Sequence, residues 1–203
     1  DSTQSLTSLR YFPRNPDLLL ICGKAAYGRR MYEDALGYLA QARQVGKLND
    51  ELFLYLGLTY MEMNRLKKAE TNLKLALYKN HKNVKALKSL SDLYVKMGKL
   101  EKALEAAQKA VSFAREDPEA LLKHGYVLFK LNRNKEAIEE LEKASSMDGS
   151  PLITFYYLGL AYIKAGDRER GLYALKSFAD KWKGDPELKK KTVELIKKIS
   201  SKE

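Results

Sequence analysis

Cysteine, histidine and long apolar runs are scarce in this chain, and each scarcity excludes something. Cys22 is the only cysteine, so no disulfide can close within the chain. It sits in an apolar helical stretch, which predicts a buried structural thiol. That fits a reducing compartment, but disulfide-free chains are also common in the bacterial periplasm, so cytoplasmic and periplasmic locations both stay open. No apolar run reaches the ~20 residues that a membrane-spanning helix needs. The longest, Pro151 to Ile163, is shorter and carries Thr154. No signal peptide is recognisable, and the chain starts at Asp1 without Met, which predicts a processed form or an excised piece of a longer protein. The two histidines, His81 and His124, have no cysteine or acidic partner at metal-ligand spacing, so no metal is expected. His124 reads as a hydrogen-bonded packing residue and His81 as a loop residue. No phosphate loop or nucleophile motif is present, and no set of titratable residues converges. No cofactor is expected, and the chain does not read as an enzyme.

Charge is present in excess of one sign. The formal net charge is +11, mostly from lysines concentrated at 65–99 and 176–202. A diffuse lysine excess is the mark of a solvated surface more than of a nucleic-acid site. Glu136, Glu139, Glu140 and Glu142, between Lys135 and Lys143, read as a solvated helix face.

What the chain has is a period. Gly23, Gly57, Ser91, Gly125 and Gly159 share one register at a step of 34 residues, with no insertion or deletion. Ala35, Ala69, Ala103, Ala137 and Gly171 share a second, and Ala42, Ala76, Ala110, Ala144 and Phe178 a third. Such a period is the sequence signature of a solenoid, in which each unit buries its apolar face on its neighbours. Each unit reads as two helices and a tight turn. Asn15, Asn49, Asn83, Asp117 and Asp185 supply N-caps in one register, because their side-chain oxygens accept an orphan backbone N–H. Pro16, Pro118 and Pro186 follow directly, where a missing N–H costs nothing. Pro151 breaks this register, and Ser150 is expected to cap there. The turns are expected at Asn64, Gly98, Asn132 and Gly166, residues that tolerate the left-handed conformation, with Arg30 the poorest fit. One apolar face runs Leu19, Cys22, Gly23, Ala26 and recurs as Phe53, Leu56, Gly57, Tyr60, as Leu87, Leu90, Ser91, Tyr94, as Leu121, His124, Gly125, Leu128 and as Phe155, Leu158, Gly159, Tyr162. The spacing is that of a helix face.

These residues resemble the tetratricopeptide repeat (TPR) family, whose pattern places a large residue, Leu, Gly and Tyr on the first helix and Ala, a large residue and Ala on the second. The second unit follows it nearly throughout: Phe53, Leu56, Gly57, Tyr60, Ala69, Leu73, Ala76. The resemblance implies an all-α, right-handed α-solenoid of five repeats, 16–49, 50–83, 84–117, 118–151 and 152–185, ending in a capping helix and tail at 186–203. The proline usual near each repeat's end is absent, with Lys47, His81, Arg115 and Gly149 in its place. Gly171 and Phe178 replace alanines in the fifth repeat, which predicts looser or altered packing there. In the cap, Leu188, Thr192, Leu195, Ile196 and Ile199 form one stripe with Lys189, Lys190, Lys191, Lys197 and Lys198 around it, a solvating face that could at most touch an anionic membrane weakly. Trp182 is expected to pack that helix. Residues 1–15 form an N-terminal segment in which Leu6, Leu9 and Phe12 stand three apart. Residues 3–12 read either as the second helix of an upstream repeat or as a linker.

A second first-helix stripe carries the functional reading. It runs Leu20, Lys24, Tyr27, then Leu54, Leu58, Met61, then Lys88, Asp92, Val95, then Leu122, Tyr126, Phe129, then Tyr156, Leu160, Ile163. In the family this stripe looks into a concave groove that holds a partner. A helix apolar on both stripes must bury both, which points to an apolar peptide or an amphipathic helix as ligand. The residues at the family's clamp for acidic heat-shock chaperone tails are Leu20, Lys24, Tyr55, Lys85 and Ser89. Only Lys85 matches, so such a tail is not the expected partner. The leading expectation is a protein-binding adaptor or scaffold within a larger assembly of bacterial look. Two alternatives stand beside it: a structural, self-associating segment of a longer array, and a basic-surface binder of nucleic acid or an acidic partner. RNA-reading repeats place polar residues where this chain has apolar ones.

Overall fold

The computed structural model describes residues 15–201, so the expectations for residues 3–12 lie outside the described residues. The described chain is all α, with eleven helices. It divides between Gly98 and Lys99 into two compact units. The first unit holds α1 (Pro16–Gly28), α2 (Tyr32–Gln44), α3 (Asp50–Glu62), α4 (Leu66–Lys79) and α5 (Val84–Lys96). The second holds α6 (Leu100–Phe113), α7 (Pro118–Lys130), α8 (Asn134–Ser145), α9 (Ile153–Ala165), α10 (Arg168–Lys181) and α11 (Pro186–Ser200). Helices pack as consecutive pairs: α1 with α2 and α3 with α4 in the first unit, α7 with α8 and α9 with α10 in the second. Among the described residues no helix is long and apolar enough to cross a membrane.

Local signals place these helices. Asn15 Oδ1 accepts from the backbone N–H of Asp17 and Leu18 at 3.0 and 3.1 Å. Asn49 caps Leu52 at 3.0 Å, Asn83 caps Ala86 at 2.9 Å, Asp117 caps Glu119 at 2.9 Å and Asp185 caps Glu187 at 3.0 Å. Ser150 departs from its expected role. It donates to the Thr154 hydroxyl at 3.3 Å, and α9 starts late, at Ile153, with no side-chain cap. Proline in the cap register moves the start along the chain.

All five turn positions adopt the left-handed conformation: Arg30 at φ 62°, Asn64 at 57°, Gly98 at 72°, Asn132 at 59° and Gly166 at 90°. The reason is a shared closure. Beyond the turn, a backbone N–H reaches back into the first helix, from Met31 to Ala26 at 3.0 Å, from Arg65 to Tyr60 at 2.8 Å and from Arg133 to Leu128 at 2.9 Å. Arg30 must follow although its side chain disfavours that region.

Close approach within a pair rests on the glycine register. A Cβ at Gly57 would lie 2.7 Å from Leu73 Cγ, and one at Gly125 would lie 2.7 Å from Leu141 Cγ. Leu73 and Leu141 are fully buried, so the missing side chain of one helix is the seat of a leucine from the next. The final pair is altered but not loose. Among the described residues Phe178 is the largest fully buried side chain, its ring tilted against those of Tyr156 and Trp182 at centroid distances of 5.3 and 4.9 Å. The space at Gly171 is taken by Ile163. Trp182 Nε1 donates to the Asp185 carbonyl at 3.1 Å, just before α11 begins. Arg168 donates to the Ile199 carbonyl in the last turn of α11, fixing that helix at its far end. Cys22 is buried, as a structural thiol should be.

Candidate functional site

In the first unit the second stripe separates into support and surface. Leu20, Leu54 and Leu58 are buried, because α1 packs on α3 and α3 on α5 directly. Lys24, Tyr27, Met61, Lys88, Asp92 and Val95 are half-buried, and Lys85 is exposed. The rings gather around Tyr55, which the stripe did not include. Tyr27 meets Tyr55 edge-on, with centroids 5.7 Å apart, and lies 5.9 Å from Tyr32. Two lysines from different helices converge on that Tyr55 ring. Lys24 Nζ lies 5.5 Å from its centroid and Lys85 Nζ 4.8 Å, with Lys85 also donating to the Tyr55 hydroxyl at 3.2 Å. Lys24 is paired with Glu51 as well. Burial, with the Glu62 carboxylate and the neighbouring tyrosines, pushes the Tyr27 hydroxyl pKa up, so it stays a neutral donor. The result is a cationic, aromatic surface backed by leucine.

In the second unit the same stripe is ring upon ring. Leu122 and Phe129 are buried, while Tyr126, Tyr156, Leu160 and Ile163 are half-buried. Tyr157, again outside the stripe as read from sequence, links them. Its ring lies 4.5 Å from Tyr126, 6.4 Å from Phe129 and 5.3 Å from Tyr156. Through Tyr156 the chain of rings continues to Phe178 and Trp182. Tilted and edge-on pairs at these separations are favourable beyond the area they bury. Lys164 Nζ sits 4.5 Å over the Phe129 ring, and such a cation adds attraction from the ring's quadrupole. The sequence did carry a signal for Tyr55 and Tyr157: they stand 102 residues, three periods, apart in one register. A reading that follows a single line of each helix passes over the neighbouring line.

One polar pair stands in an otherwise apolar register. His124 takes the place held by Cys22, Leu56, Leu90 and Leu158 elsewhere. Its Nδ1 is 3.2 Å from Glu140 Oε2, and Glu140 also accepts from Lys143 at 2.8 Å. The Glu140 side chain is 16% exposed, so it does not belong to a solvated acidic face as the local run of glutamates suggested. Hydrogen bonding from His124, against the opposing effect of burial and with help from Lys143, lowers its pKa to about 2. Glu142 is also engaged, accepting from the Tyr162 hydroxyl. Among the described residues no three His, Cys, Asp or Glu side chains gather as a set that could hold a metal ion.

Comparison with known proteins places this architecture. The tetratricopeptide repeat family matches residues 54–120, 88–151 and 154–184. Two relatives are the mouse and human "Protein O-mannosyl-transferase TMTC3", 26% identical over 179 residues and 25% identical over 187. These matches take in 80% and 84% of this chain, which spans about one fifth of the length of those relatives (19% and 20%). Among solved structures, YrrB, described as a TPR protein with an unusual peptide-binding site, superposes with a TM-score of 0.71 at 20% identity, covering 96% of this chain and 100% of YrrB. MamA from Desulfovibrio magneticus RS-1 gives 0.72 at 18% identity, covering 81% and 93%. The APC/C hetero-tetramer Cut9–Hcn1 gives 0.83 at 13% identity, covering 98% of this chain and 39% of that one. The helix pairs, their left-handed turns and their glycine seats agree with the family match: the chain belongs to the tetratricopeptide repeat family.

Proposed function

We propose that this chain is a non-enzymatic protein-binding scaffold, which holds a peptide or an amphipathic helix against the tyrosine-rich faces of its first helices. The observation that carries this reading is the half-buried ring chain of Tyr126, Tyr156 and Tyr157 on α7 and α9. Tyrosine offers a broad apolar face and a hydrogen-bonding tip at low entropic cost, which is why it dominates binding hot spots. Leu122 and Phe129 support those rings from beneath, and Lys24, Tyr27, Lys85 and Tyr55 form the corresponding surface of the first unit. The five 34-residue repeats at 16–185 are the units that present these faces. Peptide binding in YrrB is an analogy at the level of fold.

The test uses the half-buried tyrosines, because a charge at Leu58 would act on folding: that side chain is 6% exposed. Peptides selected from a random library on the parent chain are titrated against the Tyr126→Ala/Tyr156→Ala variant. Affinity is expected to fall at least about tenfold, roughly 1.4 kcal/mol, with helicity by circular dichroism unchanged. Equal affinity in the folded variant removes these faces from the reading.

A further inference from the structure

One register of the first helices is closed by small or apolar side chains except in α7. Cys22, Leu56, Leu90 and Leu158 hold it elsewhere and are 3–6% exposed. In α7 it is held by His124, which is only half-buried. The ring lines a cleft of about 370 Å³ between α7 and the two second helices that pack on it, α6 and α8. Gln108, Ser112 and Arg115 line the cleft from α6 and the turn after it, and Glu140 and Lys143 line it from α8. Glu140 is already satisfied there: one carboxylate oxygen accepts from Lys143 at 2.8 Å and the other accepts from His124 Nδ1 at 3.2 Å. An ionised carboxylate only accepts, so Nδ1 carries the ring proton and Nε2 is left for other chemistry. Arg115 has no carboxylate partner among the described residues, whereas Lys47, its counterpart in the first repeat, is paired with Asp17. Arg115 and Lys143 against Glu140 leave one positive charge in excess, and an imidazolium at His124 makes the excess two.

We propose that this cleft is a binding site for a phosphoryl group. Such a group carries close to two negative charges near neutral pH and presents three acceptor oxygens, where a carboxylate has one charge and two oxygens. The donors match that count. Arg115 brings a planar fork and Lys143 a point charge, and His124 brings a third donor at Nε2 when its ring is protonated. Each comes from a different helix or its flanking turn, so the three meet only because α6, α7 and α8 pack together. Gln108 and Ser112 add neutral hydrogen-bonding groups at the rim. His124 and Tyr126 stand two residues apart on α7, which sets them on nearly opposite sides of the helix. The cleft is therefore independent of the tyrosine-rich faces and stands whether or not those bind peptide.

Nuclear magnetic resonance of the imidazole rings tests this on the full chain. His81, in the other unit, is the only other histidine and serves as the internal control. Inorganic phosphate and, separately, a capped Gly–phosphoserine–Gly peptide are titrated near pH 6.5, about the ordinary imidazole midpoint, with chloride adjusted to hold ionic strength constant. The His124 resonances are expected to move saturably while those of His81 stay in place. Arg115→Gln and, separately, Lys143→Gln are expected to weaken binding at least about tenfold, the loss of one charge-assisted contact. Both side chains are exposed, so the substitutions leave the packed helices intact. Tighter binding of the peptide than of phosphate upholds the site and makes its occupant a phosphorylated side chain; equal binding upholds it for free phosphate. No saturable movement of His124 with either probe overturns the proposal, as does movement shared equally by His81 or binding unchanged in both variants.

Discussion

The two units repeat one framework and differ in what they place on it. Both use left-handed turns and glycine seats for leucine, and every first helix but α9 carries a side-chain cap. On the first unit the exposed edge of that framework is cationic: Lys24 and Lys85 converge on Tyr55. On the second it is aromatic, with the half-buried Tyr126, Tyr156 and Tyr157 set ring against ring, and the core admits a polar pair at His124 and Glu140. The framework residues have their partners one turn or one helix away and tolerate little change. The residues between them are free to set chemistry unit by unit, so one scaffold can present two different surfaces.

The strongest way to break the aromatic side of this contrast is Phe178→Ala. Phe178 is fully buried between Tyr156 and Trp182, and removing such a ring costs about 3–5 kcal/mol. Trp182 is the only tryptophan, so its fluorescence during denaturation reports the second unit selectively. The variant is expected to show a lower midpoint and altered emission before denaturant is added. An unchanged midpoint would mean that the burial of Phe178 contributes no net stability.

Acid sharpens the comparison next. The Glu140 pKa is depressed to about 2 in the folded state, from about 4.3 when unfolded. Its stabilisation is therefore fully present above pH ~4.3 and is lost as pH falls through that window toward 2. The loss is at most about 3 kcal/mol, since one pKa unit corresponds to about 1.4 kcal/mol. Trp182-monitored stability is expected to decline over that range in the parent chain and to decline less in Glu140→Gln. Equal acid sensitivity in the two would remove the pair as its origin. In the first unit, burial raises the Asp50 pKa, but hydrogen bonds from Asn80 and Asn83 outweigh it and the net shift is downward.

The smallest effect lies in the first unit, at Arg30. Its left-handed conformation, φ 62°, suits glycine, as at Gly98 and Gly166. Arg30→Gly is expected to stabilise by about 0.5–1 kcal/mol, the relief of the side-chain clash exceeding the entropy that glycine adds to the unfolded chain. A raised denaturation midpoint checks it, and a lowered one would show that the Arg30 side chain contributes more than its backbone costs.

Much of the fold was legible because its causes are local. A cap reads from two or three residues, a left-handed turn from one, and a helix face from spacing alone. That is why the Asn15, Asn49, Asn83, Asp117 and Asp185 caps and all five turns lie where the period predicts. Legibility fails where the cause acts across space. Leu54, Leu58 and Leu122 look like groove residues in sequence, yet neighbouring first helices enclose them. Glu140 looks like one of four equivalent glutamates, yet a histidine sixteen residues earlier faces it. Ser150 looks like a cap, but the adjacent proline delays the helix past its reach.

The leucine seated on a missing side chain has a consequence for how this chain can change. Because the same seat recurs at Gly23, Gly57, Gly125 and Gly159, always a whole number of 34-residue steps apart, the smallest change that keeps these seats in register is a whole step. Losing one residue would bring a side chain onto a leucine's place throughout the helix that follows, whereas gaining or losing 34 together presents each helix with a neighbour it already fits. Variation in length is therefore quantised, and variation in surface is not.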